Sequence, residues 1–243
     1  MITQAIINIL TILANTIQPT IGDYFTEKNY RRNYEILRQL TFVFFCISSV
    51  VAAGLFSLIT PFICDIWLSP AYELGWGTAV LCIVVLLIKI MGLPLSLMMG
   101  VTGLFEKEKN AGASSAVLNL VVSLALVRPY GMTGVLLGTL LSYLLQICYR
   151  YVIFFRDFLE MKEEAIRYAR DLGEYTAVMI LEVAVTRRII PLIYGNGGMI
   201  PFIFCFVLCI LVPLALNGVF FERGWRLQSI VKMVRGMKRS GSR

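Results

Sequence analysis

Seven apolar runs, most of them about 20 residues long, divide up this 243-residue chain and leave few folds open to it. Roughly 20 apolar residues are what a helix needs to cross the ~30 Å hydrocarbon core of a bilayer. In lipid each backbone amide must be paired within its own segment, so the runs are expected to be helices. They cover about residues 2–21, 40–64, 76–104, 110–127, 132–155, 175–194 and 199–221. The first carries Gln4, Asn8, Asn15 and Gln18 and ends near Pro19; the third is interrupted by Gly92 and Pro94; the sixth contains Glu182, Arg187 and Arg188.

Composition agrees with this reading. Hydrophobic residues make up 58% of the chain, charged residues 15%, and mean hydropathy is +0.78, whereas soluble domains carry about 25% charged residues. The net charge of +7 would suit nucleic acid in a soluble protein, but in a membrane protein basic residues collect in cytoplasmic loops. If the seven runs alternate across the bilayer, 18 of the 22 basic residues fall on one side: four in 22–39, two in 105–111, five between 150 and 174, and seven in the tail. The expected topology is therefore seven spans, N-terminus outside and C-terminus inside, with no nucleic-acid partner.

Residues 156–174 are read as a separate cytoplasmic amphipathic segment, with Phe158, Met161, Ala165, Tyr168 and Leu172 recurring at helical spacing. This segment and the basic tail 222–243 are expected to lie on an anionic inner leaflet. Met1 opens directly into an apolar helix, which is more natural if other helices originally preceded it.

Chemistry narrows next. The chain has no histidine, its six cysteines form no C-x-x-C, and no phosphate-binding loop occurs; the Gly195-Asn196-Gly197-Gly198 run lacks the lysine and hydroxyl of such a loop and reads as a turn. No metal site, cofactor, disulfide or enzymatic activity is expected. Lys89 lies about mid-span, where a cation costs about 2.5–3.5 kcal/mol, and Gly92 and Pro94 beside it predict a bent or locally unwound helix. Such a break near an intramembrane charge often marks a transport site. Arg187, Arg188, Glu182 and Asn119 are the further candidates for substrate binding. Gly134 and Gly138 form a G-x-x-x-G that admits a neighbouring helix closely.

Three stretches carry a family resemblance. They are the Pro-ended helix, polar loop and long apolar helix from Gln18 to Leu68; the kinked helix, basic turn and Asn-bearing helix from Ile88 to Val127; and the Tyr130–Phe155 segment with Gly131, Gly134, Gly138, Thr139 and Ser142. In this order they resemble the second half of Wzx-type polysaccharide-biosynthesis flippases, in the superfamily of the lipid II flippase and the MATE exporters. The match covers about residues 1–155; residues 175–221 agree only as two extra helices. The resemblance implies the C-terminal lobe of a fourteen-helix carrier. It would move a polyprenyl-diphosphate-linked oligosaccharide across a bacterial cytoplasmic membrane by alternating access, with membrane lipid and an N-terminal lobe as partners. A MATE-type cation antiporter half and a non-transporting fragment are the alternatives.

Overall fold

The computed structural model describes residues 2–24, 29–67, 75–158, 162–195 and 198–221. Among them all regular structure is helical: α1 (Ile2–Tyr24), α2 (Tyr30–Pro61), α3 (Trp76–Val101), α4 (Phe105–Tyr130), α5 (Met132–Val152), α6 (Lys162–Tyr194) and α7 (Met199–Phe221). Wider π-helical turns continue α2 over Phe62–Trp67 and α5 over Ile153–Phe158. Six of the helices are long and apolar enough to cross a membrane. The chain is a multi-pass, all-helical membrane protein. The exception by composition is α6, whose 33 residues include charges at both ends and Glu182 in its middle.

Several elements differ from their sequence-based bounds. Residues 162–174 do not form a separate segment: they are the first turns of α6, which runs unbroken to Tyr194 for about 50 Å. Tyr168 is buried, and Ala165 and Leu172 pack on the main core with α2 and the turn after α5. The side chain of Phe158, Met161 and the tail 222–243 lie outside the described residues. In α3 the helix passes through Gly92 and Pro94 without unwinding, because the amide that proline lacks is one hydrogen bond in a helix held on both sides by neighbours. Near its start, α4 takes up the charged residues 106–109, with Glu106 and Glu108 favourably placed at its positive end.

Packing grades the helices from centre to periphery. Half of the most apolar window of α2 and of α3 is buried, against only 11% for α4. The central pair α2–α3 is flanked by α6 and α7 on the α2 side and by α1 and α5 on the α3 side, while α4 packs mainly on α5. That last contact is close. A β-carbon at Gly134 would stand 2.3 Å from the Leu126 carbonyl oxygen, and one at Gly138 would stand 2.3 Å from Ser123 Oγ. The α4–α5 turn rests on Gly131, whose φ of 56° suits glycine.

The first half of α6 is fixed to α2 by a polar clamp. Arg38 Nε donates to Asp171 Oδ2 at 2.6 Å, and the two side chains are 20% and 8% exposed. Thr41 Oγ1 and the Tyr168 hydroxyl share a hydrogen bond of 3.1 Å beside it.

Candidate functional site

Helices α1 and α5 both pack against α3 but make little contact with one another. Between them a cleft of about 230 Å³ opens over the middle of α3. Each helix lines it with one stripe, because positions three, four and seven apart share a face. From α3 come Lys89, Gly92, Leu93 and Ser96; from α1, Gln4, Ile7, Asn8 and Thr11; from α5, Tyr143, Gln146, Ile147 and Arg150. Gly92 brings the wall close, since a β-carbon there would meet Ile147 Cδ1 at 3.1 Å.

The lining is unusually polar for a membrane helix bundle. Gln4 Nε2 donates to Asn8 Oδ1 at 2.7 Å. Arg150 Nε donates to Glu108 Oε1 at 2.7 Å, tying the foot of α5 to the start of α4. Lys89 differs. Its Nζ sits 4.7 Å from the centroid of the Tyr143 ring, and it forms no ion pair among the described residues. A ring face attracts a cation by its quadrupole, at about 0.5–2 kcal/mol, without cancelling the charge. The cleft thus holds one full positive charge opposed by no carboxylate of its own, since Glu108 is engaged by Arg150.

The other sequence candidates lie elsewhere. Arg187 extends over the Trp76 ring at 4.3 Å, at the end of α3 remote from Ser96, and Arg188 is exposed on another face of α6. Glu182 is fully buried where α6 meets α2 and α7. Asn119 Oδ1 accepts from Ser123 Oγ at 2.9 Å inside the α4–α5 contact. Of the five candidates for substrate binding, only Lys89 faces the cleft, with Gly92 beside it; Pro94 is buried in α3. The residues that complete the cleft are Thr11, Ser96, Tyr143, Gln146 and Arg150. The polar residues at 4, 8 and 11 carried a signal in the sequence, one face of a helix at i, i+4 and i+7. Which face they look onto was set by packing alone. All six cysteines are free.

Searches against protein families, curated proteins and solved structures give no match to this chain.

Proposed function

We propose that the chain is one lobe of a carrier that moves a polyprenyl-diphosphate-linked oligosaccharide across the bacterial cytoplasmic membrane, working with a second lobe by alternating access. The observation that carries this reading is Lys89: a mid-span cation without a carboxylate partner, in a cleft whose other polar lining is carboxamides, hydroxyls, one phenol ring and the Arg150 guanidinium held by Glu108. A diphosphate is attracted strongly to a cation in a medium of low dielectric. Carboxamides and hydroxyls offer the hydrogen bonds a sugar needs, and the 230 Å³ cleft suits a headgroup portion rather than a whole glycan. Opposite it, a second lobe would complete the enclosure. The orientation proposed with this function is N-terminus out and C-terminus in, from the basic residues gathered on one side.

A cation antiporter half is the second reading, favoured by the buried carboxylate of Glu182. It fits the cleft less well, because Glu182 does not line it.

The test is binding by the purified chain in lipid nanodiscs. A short polyprenyl diphosphate carrying a single sugar should bind, and the corresponding polyprenyl-linked sugar without phosphate should bind at least tenfold more weakly, the equivalent of about 1.4 kcal/mol. Lys89→Met should remove most of that difference, and Lys89→Arg should retain part of it. Equal binding of the two lipids by the unaltered chain, or an unchanged preference in Lys89→Met, overturns the assignment.

A further inference from the structure

The foot of the cleft holds an ion pair that the diphosphate reading leaves without a role. Arg150 closes the α5 stripe of Tyr143, Gln146 and Ile147, about two turns along α5 from the tyrosine that carries Lys89. Its side chain is 15% exposed, and that of Glu108, its partner in the first turn of α4, is 19% exposed. Arg150 lines the cleft and Glu108 does not, so the guanidinium stands between the cleft and the carboxylate. Side chains on a helix lean toward its N-terminus, which for Arg150 is the direction of Tyr143 and Lys89.

The pairing falls short of full geometry in one respect. Both Nε and Nη2 of Arg150 are directed at a single oxygen, Glu108 Oε1, whereas the strongest guanidinium–carboxylate contact sets two N–H groups against two oxygens. A phosphate group presents several oxygens that match the guanidinium fork. A diphosphate also carries more negative charge than Lys89 alone offsets, and in a medium of low dielectric the excess is drawn strongly to a second cation. The other cation lining the cleft is Arg150.

The two partners are placed unequally for separation. Arg150 lies in the last turn of α5, where the helix dipole favours a cation. Glu108 lies in the first turn of α4, where the dipole favours an anion, next to the exposed Glu106, Lys107 and Lys109. A carboxylate released there reaches water within a turn of helix. It is not left bare in the interior, the outcome that makes breaking a buried pair costly. Release also frees the helix that bears it. Helix α4 packs mainly on α5. Near Gly131 the two are held by the close contacts at Gly134 and Gly138; at the opposite end of the hairpin the polar tie among the described residues is Arg150 to Glu108.

We propose that this pair is a latch that the anionic ligand opens: a diphosphate in the Lys89 cleft takes Arg150 from Glu108, and the start of α4 is thereby released from α5. The inference rests on the reading of the cleft as a diphosphate site and adds to it a built-in competitor, because Glu108 and the ligand claim the same guanidinium.

The experiment measures the affinity of the full chain in nanodiscs for the short polyprenyl diphosphate carrying a single sugar. With its competitor removed, Glu108→Gln should bind about tenfold tighter than the wild type, the equivalent of about 1.4 kcal/mol. Glu106→Gln removes the same charge from an exposed position of the same turn, where solvent and salt screen it, and should stay within about twofold. The double variant Glu108→Gln/Arg150→Gln leaves no bare charge behind and should bind more weakly than the wild type. Hydrogen exchange gives a second readout. Ligand should speed exchange of the amides of residues 109–114 in the wild type, as local opening does, and in Glu108→Gln that exchange should be fast with or without ligand. If the wild type binds with its Lys89 dependence intact but Glu108→Gln binds no tighter than Glu106→Gln, the latch is overturned and the cleft reading stands. Slower exchange at 109–114 on adding ligand has the same consequence. A wild type without preference for the diphosphate lipid removes the cleft reading, and the latch with it.

Discussion

A lysine in the middle of a membrane helix has to place its ammonium somewhere, and Lys89 places it over Tyr143 rather than beside a carboxylate. That choice separates two roles. A lysine kept for stability would be expected to sit in an ion pair, because an unpaired cation raises the free energy of the bundle by about 2.5–3.5 kcal/mol if poorly solvated. A lysine kept for an anion should cost stability until the anion arrives. Lys89→Met is therefore expected to leave the thermal midpoint of the ligand-free protein unchanged or higher while abolishing the preference for a diphosphate lipid. A midpoint several degrees lower would mean that Lys89 is structural. The buried Arg38–Asp171 pair illustrates the other case: here both charges are satisfied, at 2.6 Å from Arg38 Nε. Truncating Asp171 to Ala should cost about 2 kcal/mol, near the lower end for breaking a buried pair because Arg38 keeps some exposure. Equilibrium unfolding in mild detergent, compared with Glu35→Ala in the exposed Arg31–Glu35 pair, is the check; the latter should change stability by less than about 0.5 kcal/mol.

Among the elements, the α4–α5 hairpin depends most plainly on single positions. Helices approach this closely in membranes only where side chains are absent, and the contacts a β-carbon would make at Gly134 and Gly138 involve backbone atoms as well as a serine hydroxyl. Gly138→Ala and Gly134→Ala should each destabilise by about 1–3 kcal/mol through overpacking. Gly22→Ala and Gly112→Ala meet open space and should be neutral or slightly stabilising, as glycine-to-alanine changes inside helices generally are. Thermal midpoints of the four variants should fall into these two groups. A uniform response would mean that α4 is not seated on α5 in this way. The length of α6 matters at this scale too: its first half, clamped to α2 at Arg38 and Thr41, is continuous with the half that bears Glu182.

At the scale of the whole molecule, the proposed orientation puts the α4–α5 turn at Gly131 outside and the α3–α4 turn at Gly103 inside. Alkaline phosphatase, active only after export, should be active when fused after Gly131 and inactive when fused after Gly103; the reverse pattern would invert the topology. The cleft belongs to α1, α3 and α5.

The sequence by itself determined that the chain is helical and spans a membrane several times. That follows from solvent physics: runs of about 20 apolar residues have one economical structure in hydrocarbon. It also pointed to Lys89, because a mid-span charge is conspicuous without any knowledge of its neighbours. Continuity was less legible. The amphipathic spacing of residues 156–174 suggested a separate surface segment, and Gly92 with Pro94 a bent or locally unwound helix, yet residues 162–174 open α6 and α3 passes its proline without unwinding. Partnership was not legible at all. Glu182, Arg187 and Arg188 share a short stretch of sequence, but helical rotation sends one into the core, one onto Trp76 and one outward. Conversely Gln4, Lys89 and Gln146 are far apart in the chain and line one cleft. A helix fixes which of its residues share a face; only its neighbours decide what that face meets.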